Sequence, residues 1–128
     1  EAEVDVRLGT DGSASNNSLD MRAEAKAASL VQKHDHWNAR VLDPIETWQL
    51  ATKGSEDWVT WDLDDIRMRP RGRDGRRLLS NLIYSGARCL DVIVAGEALR
   101  RDGETLTLDE DAAGSKLEEA VSEYYSEI

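Results

Sequence analysis

"CLDVIVAGEALRRDGETLTL", residues 89–108, is the stretch on which the class of fold turns. Val92, Ile93 and Val94 are three consecutive β-branched residues between Gly86 and Gly96. Such side chains are stiff at χ1 and pack well on a pleated surface. Asp102-Gly103 then supplies a two-residue turn before Thr105, Leu106, Thr107 and Leu108, and Asp-Gly is favoured where both turn residues need positive φ. The spacing predicts two strands joined around that turn. A single helix over 75–101, ended by Gly103, is the rival reading and stays open at this level.

On the N-terminal side of this stretch, Leu78, Leu79, Leu82 and Ile83 recur at helical spacing, with Asp74 as N-cap and Gly86 as stop. On its C-terminal side, Ser115 and Glu118 have the spacing of a capping box. Leu117, Val121, Tyr124 and Tyr125 would give the following helix an apolar face.

Further upstream, "TWQLATKGSEDWVTWDL" (47–63) alternates Trp48 and Leu50 on one side of a turn-rich centre and Val59, Trp61 and Leu63 on the other. This predicts a hairpin, with a helix starting at Ser55 as the competitor. Residues 19–40 predict a helix capped by Ser18, with Ala23, Ala27, Leu30, Val31 and His34 on its buried face. Asp43-Pro44 closes that pattern, because a residue before proline avoids the helical region. Val4, Val6 and Leu8 alternate with charged residues over 3–8, as in a half-buried strand. "GTDGSASNNS" (9–18) has the composition of a linker.

The expected architecture is therefore α+β, with about three helices, a small mostly antiparallel sheet and an extended N-terminal arm. Residues 1–18 form the arm and linker, and 19–128 form one globular domain. At 128 residues the chain is long enough for a single core. It has one cysteine, Cys89, so neither an intrachain disulfide nor a multi-cysteine zinc site can form within it. No apolar run reaches the 18 or more residues of a membrane span, and a cytoplasmic or virion setting is expected. Fourteen Asp and twelve Glu stand against twelve Arg and four Lys, with no Phe. That bias suits either a halophile-like acidic surface or a GC-rich genome, and it bears on solubility and association rather than fold.

"RMRPRGRDGRR" (67–77) runs against this acidity. Arg67, Arg69, Arg71, Arg73, Arg76 and Arg77 with one Asp give it +5, in a chain of net charge −10. Pro70, Gly72 and Gly75 suggest a bendable tip. Guanidinium forks there suit carboxylates of a protein partner or phosphates of a nucleic acid. The stretch lacks the interleaved aromatics of single-strand binders. Its bland reading is a solvated loop balanced by acids such as Asp62, Asp64 and Asp65. Trp58 and Trp61 lie close by, and one of them, if exposed, would have the composition of an interface anchor.

The chain's two histidines, His34 and His36, point some 200° apart on a helix, so one metal ion could not take both. "DLDD" (62–65) is a weak carboxylate cluster. No phosphate-binding glycine loop, dinucleotide fingerprint or nucleophile elbow occurs. These features favour a non-enzymatic subunit of a larger assembly, such as a viral head or neck component. It would contact other chains of a homo- or hetero-oligomer through the arginine loop, the arm and a tryptophan. A nucleic-acid-binding regulator is the alternative, and a small metal-assisted enzyme using His34, His36 and the Asp cluster is the third reading. No catalytic residue, metal or cofactor is assigned.

Overall fold

A computed structural model describes residues 4–126. Among these, four α-helices and a four-stranded antiparallel sheet are formed, in agreement with the α+β class. The chain folds as two compact units. One holds the residues up to Ser55 together with Leu63–Ala87; the other holds Glu56–Asp62 and the residues from Arg88 onward.

The first unit is helical. Helix α1 (Met21–Asp35) is capped by Asp20, whose carboxylate accepts from the N–H groups of Arg22 and Ala23. Ser18 sits one step back, accepting from Asp20 N. The face that α1 buries is Ala25 and Ser29, whereas Leu30 and Val31 are exposed. This corrects the expected core face, and the cause is steric. Small side chains one helical turn apart let neighbouring helices approach closely, and the larger apolar residues are left outside.

Asp43-Pro44 does more than end a pattern. It starts helix α2 (Pro44–Thr52) with a capping box between Asp43 and Glu46 and a proline in the first turn. Trp48 and Leu50 therefore lie on a helix, and the hairpin expected over 47–63 does not form. Two apolar residues at i and i+2 match a strand but are too few to establish a period, and the capping signal outweighs them. A 3-10 turn (Ile66–Met68) follows, then α3 (Gly75–Ser85), capped by Asp74 and stopped at Gly86 as its punctuation predicts. Ala25, Met68, Leu82, Ile83 and Ala87 form the apolar core of this unit.

Residues 4–8 are extended and tied to α2 by Leu8 N–H donating to Leu50 O at 2.9 Å, but the described residues give them no ladder partner. Glu3, the first residue of the expected strand, lies outside the described residues, as do residues 1 and 2 of the arm.

The second unit is a meander, β1 (Trp58–Trp61), β2 (Cys89–Val94), β3 (Glu97–Arg101) and β4 (Glu104–Thr105), in that spatial order. The helix over 75–101 is thereby excluded. Ala95-Gly96 and Asp102-Gly103 both have positive φ at each position, matching the right-handed twist of the strands they connect. Ile93 is the buried apolar residue of the sheet. Helix α4 (Glu110–Ser126) begins before the Ser115 cap that its sequence suggests. Asp109 is the group that accepts from Ala112 N at 2.9 Å. None of its residues is buried.

Candidate functional site

Residues 9–18, where composition suggests a linker, form a hydrogen-bonded loop in the first unit. Asp11 has φ +58°, a left-handed conformation that Asp tolerates better than most residues but still uncommon. Its Oδ1 accepts from Gly12 N at 2.7 Å, and no cation pairs with its exposed carboxylate among the described residues. The next turn closes through Ser15 N and Asn16 N, which both donate to Gly12 O, at 3.0 and 2.9 Å. Asn16 Nδ2 donates to Thr10 O at 3.1 Å and to Glu24 Oε1, in the first turn of α1, at 2.7 Å. The loop follows directly on the extended segment, so Asp11 stands at the carboxyl end of a strand-like run. In many α/β folds such ends carry the reactive side chains. Periodicity could not find this loop. The signal that could is its density of Gly, Asp, Ser and Asn, residues that bond the backbone locally.

Beside it, Val4, Asp5, Val6, Val41, Leu50 and Lys53 contribute to an open groove between the extended segment and α2. Lys53 Nζ and Arg7 both reach the Asp5 carboxylate. Those two hydrogen bonds, Lys53 first, hold the Asp5 pKa below the ordinary carboxylate value.

The arginine stretch is not one projecting tip. Arg67 pairs with Asp65 at 2.6 Å, Arg69 with Asp64 at 3.4 Å, Arg71 with the same Asp64, and Arg76 with Asp43. Arg76 and Arg77 lie on α3. Neither Arg73 nor Arg77 has a side-chain partner among the described residues. Asn81 Nδ2 fastens the loop to α3 by donating to Met68 O and Pro70 O, both at 3.0 Å. Trp58, on β1, is exposed and Trp61 is half-buried. His34 packs against Trp37 with ring centroids 5.6 Å apart, while His36 is the C-cap of α1. Among the described residues, no three His, Cys, Asp or Glu side chains come together as a metal site. His34, His36 and the 62–65 carboxylates do not converge.

No protein-family model matches the chain. It is similar to deaminases. A 5-methylthioadenosine/S-adenosylhomocysteine deaminase of Bacillus cytotoxicus is 36% identical over 128 aligned positions, covering 87% of this chain and 29% of the relative. The enzyme of the same name from Bacillus thuringiensis is 38% identical with the same coverage. Among solved structures, an adenosine deaminase from Xanthomonas campestris with bound zinc superposes with a TM-score of 0.80 at 27% identity. That match covers 96% of this chain and 32% of the other. The chain thus spans less than a third of the length of the curated relatives it matches.

These similarities correct the functional expectation. A non-enzymatic assembly subunit, viral or otherwise, is overturned, because the proteins that resemble nearly the whole chain are named as enzymes. The nucleic-acid regulator falls with it. Residues 67–77 have the most unusual composition of the chain, yet four of their six arginines pair with acids of the same unit. Among the described residues, no helix is long and apolar enough to cross a membrane.

Proposed function

We propose that this chain is part of a longer deaminase acting on the purine amine of adenosine-type nucleosides, 5-methylthioadenosine and S-adenosylhomocysteine among them. The observation that carries this reading is the extent of the similarity, 87% of the chain at 36–38% identity to deaminases so named. In such a reaction water adds at the ring carbon bearing the amine, and ammonia leaves as a carbonyl forms. A cytoplasmic setting goes with this reading. So does association with other protein chains, now as oligomerisation of the longer enzyme, which sedimentation of that enzyme tests.

Within this chain, Asp11 is the group we assign to the reacting centre. Its carboxylate is exposed and, among the described residues, unpaired with any cation, and its strained backbone is of the kind that gathers at functional loops. A carboxylate there would orient the attacking water or take up its proton. The zinc of the Xanthomonas enzyme is a separate matter. The described residues do not supply a metal site by themselves, so zinc in the longer protein would need ligands from outside this chain.

The test is to express the longer protein and measure ammonia release and the ultraviolet change as the purine amine becomes a carbonyl. Asp11→Asn should lower kcat by about 100-fold or more, the range of a positioned acid–base group. Wild-type rates in Asp11→Asn would remove Asp11 from the reacting centre, and an inactive wild-type protein would remove the deaminase reading.

A further inference from the structure

Asp11 is held from both sides by one residue. The carbonyls of its two neighbours, Thr10 and Gly12, both accept from Asn16, the first from Nδ2 at 3.1 Å and the second from the backbone N–H at 2.9 Å. The same Nδ2 also donates to Glu24 Oε1 at 2.7 Å, and Asn16 Oδ1 accepts from Ser18 N at 3.2 Å. Asn16 is the one residue from 11 to 18 that is not fully exposed. Its donors and acceptor are all engaged, on residues 10, 12, 18 and 24. Glu24 lies in the first turn of α1, a rigid element whose own N-cap is Asp20.

We propose that Asn16 is the positioning residue for Asp11, with Glu24 as its anchor on α1. The inference rests on the deaminase reading above and on the place given there to Asp11. The physical argument is one of freedom. A left-handed residue in an exposed loop has nearby alternatives that relieve its backbone, and a peptide flip on either side of Asp11 would swing its carboxylate away. The Asn16 bond to Thr10 O fixes the peptide before Asp11, its bond to Gly12 O pins the peptide beyond Gly12, and the intervening Asp11 carbonyl accepts from Thr10 Oγ1 at 3.2 Å. The bond to Glu24 references the loop to a helix instead of leaving it to move as a unit. Asn is the residue type that does this with a single short side chain, since its amide offers two donors and its carbonyl accepts.

The experiment uses the longer enzyme in four forms: wild type, Asn16→Ala, Glu24→Ala and Glu24→Gln. Glu24→Gln keeps the Oε1 acceptor and should retain near wild-type kcat. Asn16→Ala and Glu24→Ala should lose kcat with KM little changed, Asn16→Ala on the order of 100-fold, because a small misplacement of a reacting group has that effect. Amide hydrogen exchange across residues 9–18 should quicken in the two alanine variants and stay slow in Glu24→Gln, while Tm stays close to wild type. An active wild type with unchanged kcat in Asn16→Ala overturns the proposal, and so does equal loss of kcat and Tm in all three variants. An inactive wild type instead overturns the deaminase reading, and the positioning role with it.

Discussion

Ser29 Oγ lies 2.7 Å from Tyr84 OH, joining α1 to α3 in the first unit, and the same Oγ is 2.6 Å from Lys33 Nζ and 3.0 Å from Leu42 O. Lys33 Nζ further donates to Val41 O at 2.8 Å and Leu42 O at 2.6 Å, the latter in a residue with φ +50°. An ammonium here replaces helix for the turn between α1 and α2, supplying donors that the irregular backbone cannot provide for itself.

Removing that ammonium should therefore cost more than removing the phenol. Lys33→Met removes a charged donor from Val41 O and Leu42 O, the latter keeping Ser29 Oγ and Thr47 Oγ1, and should destabilise by about 2 kcal/mol, against about 1 kcal/mol for Tyr84→Phe. Urea unfolding of each variant checks the order, and equal losses would refute it.

Asp91 gives the second unit an acid-sensitive contact. Its carboxylate accepts from Thr60 Oγ1 at 2.6 Å and from Asp102 N at 3.1 Å. The Thr60 hydroxyl first, then the Asp102 N–H, hold its pKa below the ordinary carboxylate value. A depressed folded pKa contributes stability that is present above the unfolded value, about 3.9, and is lost as pH falls through the folded one. Stability measured across that acid range should fall in wild type, and less steeply in Thr60→Val and Asp91→Asn. Parallel acid curves for all three would show that Asp91 contributes nothing.

Gly72 has φ +70°, and a Cβ there would stand 2.7 Å from Arg77 Cβ, an atom too close to the helix backbone to yield. Gly72→Ala should destabilise by at least about 1–2 kcal/mol, the cost of a left-handed non-glycine residue, with the contact adding to it. An unchanged Tm would mean the loop rebuilds freely.

Arg69 and Arg71 share Asp64, whose side chain is 83% exposed. Exposed ion pairs contribute little. Changing both arginines to Gln should move Tm by no more than about 2 °C, and a larger drop would show that the loop depends on them.

The elements that sequence made legible are those bounded by punctuation. Asp74 and Gly86 bracket α3, and Asp102-Gly103 marks the β3–β4 turn, because a cap and a positive-φ turn each demand particular residues at particular offsets. Helix α2 was missed because its apolar residues are too few to establish a period, while Asp43 and Pro44 serve at once as an end and a beginning. Leu30 and Val31 were misassigned to the core because periodicity names a face without saying which neighbour comes near it. Of the candidate site, Asp11 and Asn16 were passed over, since a loop knitted by side-chain hydrogen bonds has no period at all. The arginines drew attention by their number, yet acids at 43, 64 and 65 answer four of them.

The chain visits its two compact units alternately, leaving the first at Ser55, returning at Leu63 and leaving again at Ala87. No single cut in the sequence therefore separates the two units, since a cut after Ala87 leaves β1 with the first. On a ribosome, β1 emerges well before Cys89–Val94, the strand it pairs with, so it must stay unpaired while α3 is still being made. A frameshift or stop between positions 63 and 87 would leave both units unfinished rather than sparing one. Any genetic rearrangement that moves this region would have to carry the two units as one cassette.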